Sequence, residues 1–270
     1  MNVDPKLASA QIALEKAYNA SRYGSSEAQS GSISERSGYV AAVLARAQEA
    51  TISWANWEEI NTIFSPPSDA AEAVSWLELN AVGTIRKALA RDAILGGFSL
   101  SDPVQKNRLT LCHIASWLDD KTIATLSSRE WAIDQGHSPF LADAAAETTA
   151  VKVGRFRNIV VPDWAKNTPG NTELDELRKR LRATRSQLAH RLHDENTREP
   201  AVDEIRRFLS LTLELATDAA LIWIGSAIES GRYVEYAREQ ANTFWPKAFA
   251  EPVRVWQADM ERRRQAGLDP

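Results

Sequence analysis

The chain has one cysteine, Cys112, in 270 residues. A single thiol cannot close an internal disulfide, and such usage fits a reducing, cytoplasmic setting. Histidine is scarce too, with four residues. Neither an H-E-x-x-H nor a C-x-x-C pair occurs, so the common zinc arrangements are excluded and no metal is expected. There is no glycine-rich phosphate loop, and no nucleotide or other cofactor is expected. Long apolar runs are missing. The most apolar stretch, Leu209 to Ile228, contains Glu214 and Asp218, which makes it a buried helix rather than a membrane span. The first residues, MNVDPKLASAQ, lack the apolar segment of a secretion signal. A net charge of −4 gives no global attraction to polyanions, so any nucleic-acid contact must come from local patches. Strand signals are nearly absent, the one exception being Ile159-Val160-Val161.

What is present is a folded core in the making: nine tryptophans and 44% hydrophobic residues, too many for a disordered chain. Apolar residues recur at helical spacing almost throughout. Asp4-Pro5 opens a helix to about Tyr23, and Ser32 with Glu35 caps a second, carried by Val40, Val43, Leu44, Trp54, Trp57, Ile60 and Phe64 up to Ser65-Pro66-Pro67. Asp69 and Glu72 open a third, ending at Gly96-Gly97. Asp102-Pro103 opens a fourth, through Leu111, Ile114 and Leu118. A shorter helix is predicted over Lys121 to Ala132, a turn at Gly136 to Pro139, and an alanine-rich helix over Phe140 to Phe156. A helix from Thr172 to His193 and a long one from Ala201 to Glu229 flank a polar loop, and Arg232–Asn242 and Val253–Arg264 flank the breaker Trp245-Pro246. The fold class is therefore all-α: a bundle whose long antiparallel helices surround an Arg-x4-His segment. It divides into N-terminal helices (1–66), a bundle (67–240) and a helical tail (241–270), together one compact unit.

That segment, TELDELRKRLRATRSQLAHRLHD, begins at Thr172. Leu174, Leu177, Leu181 and Leu188 make a seam on one side of its wheel. With Arg182 at zero, Arg178, Arg185, Ser186, His190 and His193 fall between about −60° and +80°. Arginine offers a permanent forked charge suited to phosphate oxygens, and histidine exchanges a proton near neutral pH. His190 could take the proton of a ribose 2′-hydroxyl, which attacks the neighbouring phosphate, while Arg185 holds the charge that develops there. The spacing alone is weak evidence, because Arg108 and His113 share it in RLTLCH. There the intervening residues are mostly apolar and no second arginine accompanies them, so His113 reads as a core or boundary residue.

At RATRSQLAHRLHD the sequence resembles the HEPN superfamily, in particular its abortive-infection (AbiU-like) branch. Arg185 and His190 match the family's arginine–histidine pair, and Leu188-Ala189-His190-Arg191 is similar to the branch's local pattern. Ala201–Glu229 matches the long helix that follows. The resemblance implies metal-independent RNA cleavage, a homodimer that brings two such motifs into one cleft, and a role in phage defence or a toxin–antitoxin pair with a neutralising partner protein. It implies that Arg185, His190 and Ser186 are catalytic, Ser186 orienting the imidazole where the family usually has Asn, Asp or His. Arg182, Arg191, Arg178 and His193 would bind RNA.

Other readings of the same residues are simpler. Arg178 to Arg191 could be a solvated helix face. His190, His193 and Asp194 could contribute to a metal site, which would need further ligands from elsewhere. A catalytically inactive module that binds RNA or a protein partner is the third. The tryptophans at core spacing, Trp54, Trp57 and Trp223, belong inside. Arg262 to Arg264 suit the dipole at a helix end, and the adjacent pairs Glu58-Glu59 and Asp119-Asp120 do not face each other on a helix.

Overall fold

A computed structural model describes residues 33–64, 76–102, 110–160, 173–190, 202–225 and 230–266. The expected first helix, the Ser65-Pro66-Pro67 stop, Arg191, His193 and the polar loop after them lie outside the described residues. Nine helices and no strand occur among the described residues. They are α1 (Ile33–Ile63), α2 (Trp76–Ser101), α3 (Leu111–Ser116), α4 (Asp120–Leu126), α5 (Arg129–Asp134), α6 (Ala142–Val160), α7 (Glu173–His190), α8 (Val202–Ile224) and α9 (Ser230–Gln265). The protein is all-α. It divides into two compact units, one of Met1–Glu49 and Ile94–Ser230, the other of Ala50–Ala93 and Gly231–Pro270.

The first unit is built around α8, which packs against α3, α6 and α7. Phe208, Leu215, Ala216, Ala219, Ile222 and Trp223 on α8 are fully buried, as the spacing of its apolar residues requires. Both long neighbours run antiparallel to it. On α7, Glu173 pairs with Arg207 and Arg180 with Glu204; on α6, Arg155 pairs with Glu214 and Lys152 with Asp218. In each case the numbers rise on one helix as they fall on the other. The pairs join into one chain, Lys152–Asp218–Arg155–Glu214–Arg207–Glu173, linking three helices. Trp117 stands edge-on to Trp223, with ring centres 5.8 Å apart, and the Arg36 guanidinium lies 5.5 Å over the Trp117 ring.

The second unit has its own apolar cluster of Ile60, Phe64 and Val82, against which Trp245, Phe249 and Val253 pack. Trp54 stacks on Trp57 at 4.4 Å, and the Trp245 indole donates to Asn56 Oδ1.

Several boundaries differ from those read off the sequence. Helix α2 does not stop at Gly96-Gly97 but continues to Ser101. A Cβ at Gly97 would lie 2.7 Å from Phe208 Cε1 and 2.9 Å from Leu209 Cδ2. The glycine marks close approach of α8, not a helix end. Pro246 likewise fails to break α9, which contains both Pro246 and Pro252. Packing of Trp245, Phe249 and Val253 along one side holds the helix through both prolines. Ile159 and Val160 are helical, Val160 continuing the buried stripe of Val153 and Phe156 on α6. The helix expected over Lys121 to Ala132 is two, because Ser128 caps α5 by accepting from the Trp131 amide. Helix α3 is capped by Thr110, not Asp102, and closes before Leu118. Helix α8 ends at Ile224, where Gly225 takes a φ of 62° open to glycine and strained for other residues.

Candidate nucleic-acid site on helix α7

Helix α7 follows its predicted wheel. Leu174, Leu177 and Leu181 are buried, and Thr184 joins them. Moving round from that seam, Arg178 and Arg185 lie at its border, and Arg182 and Ser186 are exposed. Leu188 and His190 belong to the helical backbone, but their side chains lie outside the described residues.

The two border arginines converge on one carboxylate. Asp102 is buried. Its Oδ1 accepts from Arg178 Nη2 at 3.3 Å and its Oδ2 from Arg185 Nη2 at 2.9 Å. The Arg185 guanidinium also lies over the Phe98 ring, 5.4 Å from its centre, a cation–π arrangement. Asp102 and Phe98 come from the end of α2, whose path beside α7 the Gly97 contact with α8 sets. Two guanidiniums thus meet one carboxylate. The Arg178 side chain is 14% exposed and that of Arg185 is 35% exposed. Arg185 can therefore meet a ligand while Arg178 serves mainly inside.

Arg182 makes no ion pair among the described residues, whereas Arg180 beside it is taken by Glu204 at 3.0 Å. Ser186 is exposed. Because α7 is α-helical through residue 190, position 190 stands about 40° round from Ser186, about 80° from Arg182 and about 140° from Arg185. Along the axis, positions 185 and 190 are about 7.5 Å apart. The backbone thus sets the proposed base beside Ser186, on the far side of Arg182 from the Asp102 clamp.

Near the clamp, Cys112 is buried. Burial pushes its thiol far above the ordinary range, against the opposing pull of the Arg178 charge. It is a packed side chain with no nucleophilic character. His113 next to it is buried and lies against Trp117 at 5.4 Å, so the second Arg-x4-His spacing ends in the core. No group of three or more His, Cys, Asp or Glu side chains able to hold a metal occurs among the described residues. His193 and Asp194 are not among them. No described helix is long and apolar enough to cross a membrane.

No protein-family model matches the chain, and no curated protein or solved structure matches it. The functional reading rests on the residues themselves.

Asp102 is the residue that sequence reasoning missed. It stands 83 positions before Arg185 and beside a proline, where it looked like a helix cap. The only local hint was an acid closing an apolar helix end, FSLSD.

Proposed function

We propose that the chain is a metal-independent endoribonuclease of the HEPN kind, acting as a homodimer in phage defence or as the toxin of a toxin–antitoxin pair. The observation that carries this reading is the clamp on Arg185. A guanidinium held from behind by a buried carboxylate and an aromatic ring keeps one orientation, and about a third of the Arg185 side chain meets solvent. Arg182, exposed on the next turn, adds a second cation to the same stretch of α7.

In the proposed reaction His190 removes the proton of a ribose 2′-hydroxyl, with Ser186 orienting the ring. The 2′-oxygen bonds to phosphorus, the bond to the 5′-oxygen breaks, and that oxygen takes a proton from the imidazolium of the second chain. A 2′,3′-cyclic phosphate and a 5′-hydroxyl result. Arg185 neutralises the charge on the non-bridging oxygens, a contribution of about 10²-fold or more. Arg182, with Arg191 and His193, steers the RNA, while Arg178, mostly buried against Asp102, backs the clamp rather than touching the ligand. The test expresses wild type, H190A and R185A and follows host growth and RNA integrity, then assays the purified proteins in EDTA. Cleavage by the wild type alone, leaving cyclic-phosphate ends, is expected. Intact RNA with all three would sink the reading.

A second reading draws on a specific observation: Arg185 is already engaged by Asp102, and the helix register sets position 190 about 140° away from it. On that reading α7 binds RNA or a protein partner through Arg182 without cutting. Equal RNA binding by wild type and H190A, with no cleavage by either, would favour it.

A further inference from the structure

We propose that the outer face of α2, in the second unit, binds the phosphate backbone of an RNA strand, as a surface separate from the arginine arc of α7. Its residues belong to the stretch NAVGTIRKALAR, positions 80–91. With Lys87 at zero on the wheel, Asn80, Gly83, Thr84 and Arg91 fall between about −40° and +60°. They form one stripe, about 16 Å long. Asn80, Thr84, Lys87 and Arg91 are exposed, and Arg86 stands half-buried at the border.

These cations have no counter-charge. Arg86, Lys87 and Arg91 make no ion pair among the described residues. On α9, by contrast, Arg238, Arg254, Arg262, Arg263 and Arg264 each have a carboxylate within 4.0 Å. Helix α2 contains two acids, Glu78 and Asp92. Its register sets those positions about 180° and 140° round from Lys87, and Asp92 accepts from Ser53 of α1 at 2.7 Å. A chain of net charge −4 thus presents three positive charges and no negative one over positions 80–91. Gly83 is an independent observation. It is helical, and a Cβ there would meet nothing within 4 Å. Packing within the chain does not call for glycine, which weakens a helix interior. One turn before Lys87 on the same stripe, it lets a ligand's backbone come close to the helix.

The make-up of the stripe selects the occupant. A protein partner would centre on apolar or aromatic side chains, and a lipid surface needs apolar groups beside the cations. Ile85, the large apolar side chain exposed on this helix, lies about 160° from Lys87. The stripe itself offers two cations one turn apart, an amide, a hydroxyl and a glycine. Cations and small polar groups position a phosphodiester strand without reading its sequence. The choice of RNA over DNA rests on the reading of α7, but the surface does not need the chain to cut.

The probe is a labelled single-stranded RNA of mixed sequence, and its binding to the full H190A chain is followed by fluorescence anisotropy across a potassium chloride series. H190A keeps the strand whole. In that background K87Q/R91Q is compared with R182Q on α7 and with K121Q, an exposed cation on α4. Each lost phosphate contact flattens log K against log salt by about 0.7 for a single strand. K87Q/R91Q is therefore expected to reduce the slope by about 1.4 and to weaken binding about tenfold at about 0.15 M salt. Its circular dichroism should be unchanged, and K121Q should bind as its parent does. The K87Q/R91Q effect without an R182Q effect supports this surface and counts against α7 as the RNA site. A K87Q/R91Q protein with its parent's slope overturns the proposal, and so does no binding at low salt. Tighter binding of the matching DNA strand, or displacement of the RNA by poly-glutamate at equal charge, overturns it too. Cleavage is decided separately, by H190A and R185A.

Discussion

Arg185 Nη2 donates to Asp102 Oδ2 across 2.9 Å, joining positions 83 residues apart. The bond ties the end of α2 to the middle of α7, and Arg178 reaches the same carboxylate one oxygen over. The aspartate is buried while Arg185 keeps a third of its side chain in solvent, so the carboxylate has more to lose than the arginine.

D102N keeps the shape and removes the charge, leaving two guanidiniums side by side. Removing one member of a buried pair costs about 3–5 kcal/mol. Arg185 can turn toward water, which places the expected loss near the low end, about 3 kcal/mol. Urea unfolding measures it. A change below about 1 kcal/mol would mean the clamp contributes little to stability.

Two glycines should respond in opposite directions to alanine. At Gly97 the new methyl would press on Phe208 and Leu209 at 2.7 and 2.9 Å, and overpacking of this kind costs about 1–3 kcal/mol. At Gly154 the space is open, so G154A gains helix propensity and stabilises by up to about 1 kcal/mol. Thermal melts of the two variants make the comparison. The same sign for both would contradict the packing described for α2 against α8.

The acid side of the stability curve depends in part on Glu173. Its hydrogen bonds from Arg207 hold its carboxyl below the ordinary glutamate value of 4.5. A carboxyl whose pKa is lower folded than unfolded stabilises fully above the unfolded value and loses that contribution as pH falls through the folded one. Both side chains are about half exposed, which limits the pair to about 0.5 kcal/mol. E173Q should therefore be less stable than wild type by roughly that amount at neutral pH, and the gap should close below pH 4.5. A gap that widened in acid would reverse the assigned sign.

Cys112 should resist alkylation. Its burial and raised pKa leave almost no thiolate in the native state. Ellman's reagent at about pH 8 should report no free thiol until denaturant is added, and one per chain afterwards. Rapid native labelling would show that the packing around α3 opens.

The helices themselves were legible because amphipathic periodicity is a local property. The seam Leu174, Leu177, Leu181 could be drawn on a wheel without knowing what covers it, and it is buried. The fate of His113 could be read from the apolar run beside it, and it too is buried. Errors arose where a residue's local habit and its tertiary task diverge. Gly97 and Pro246 both look like helix ends, yet one admits a neighbouring helix and the other rides through on the packing of Trp245 and Phe249. Ile159 and Val160 have strand-forming side chains but continue a helical stripe whose other members are already buried.

From the order of its residues alone, this protein was bound to be helical, with α7 bearing leucines on one flank and arginines beside them. Repeating apolar side chains at 3.6-residue intervals leave a chain in water few other ways to hide them. Which arginine would be tethered, and to what, was decided only when α2 and α7 met. A buried carboxylate selects its partners by distance in space, and a separation of 83 positions leaves no local trace of that choice.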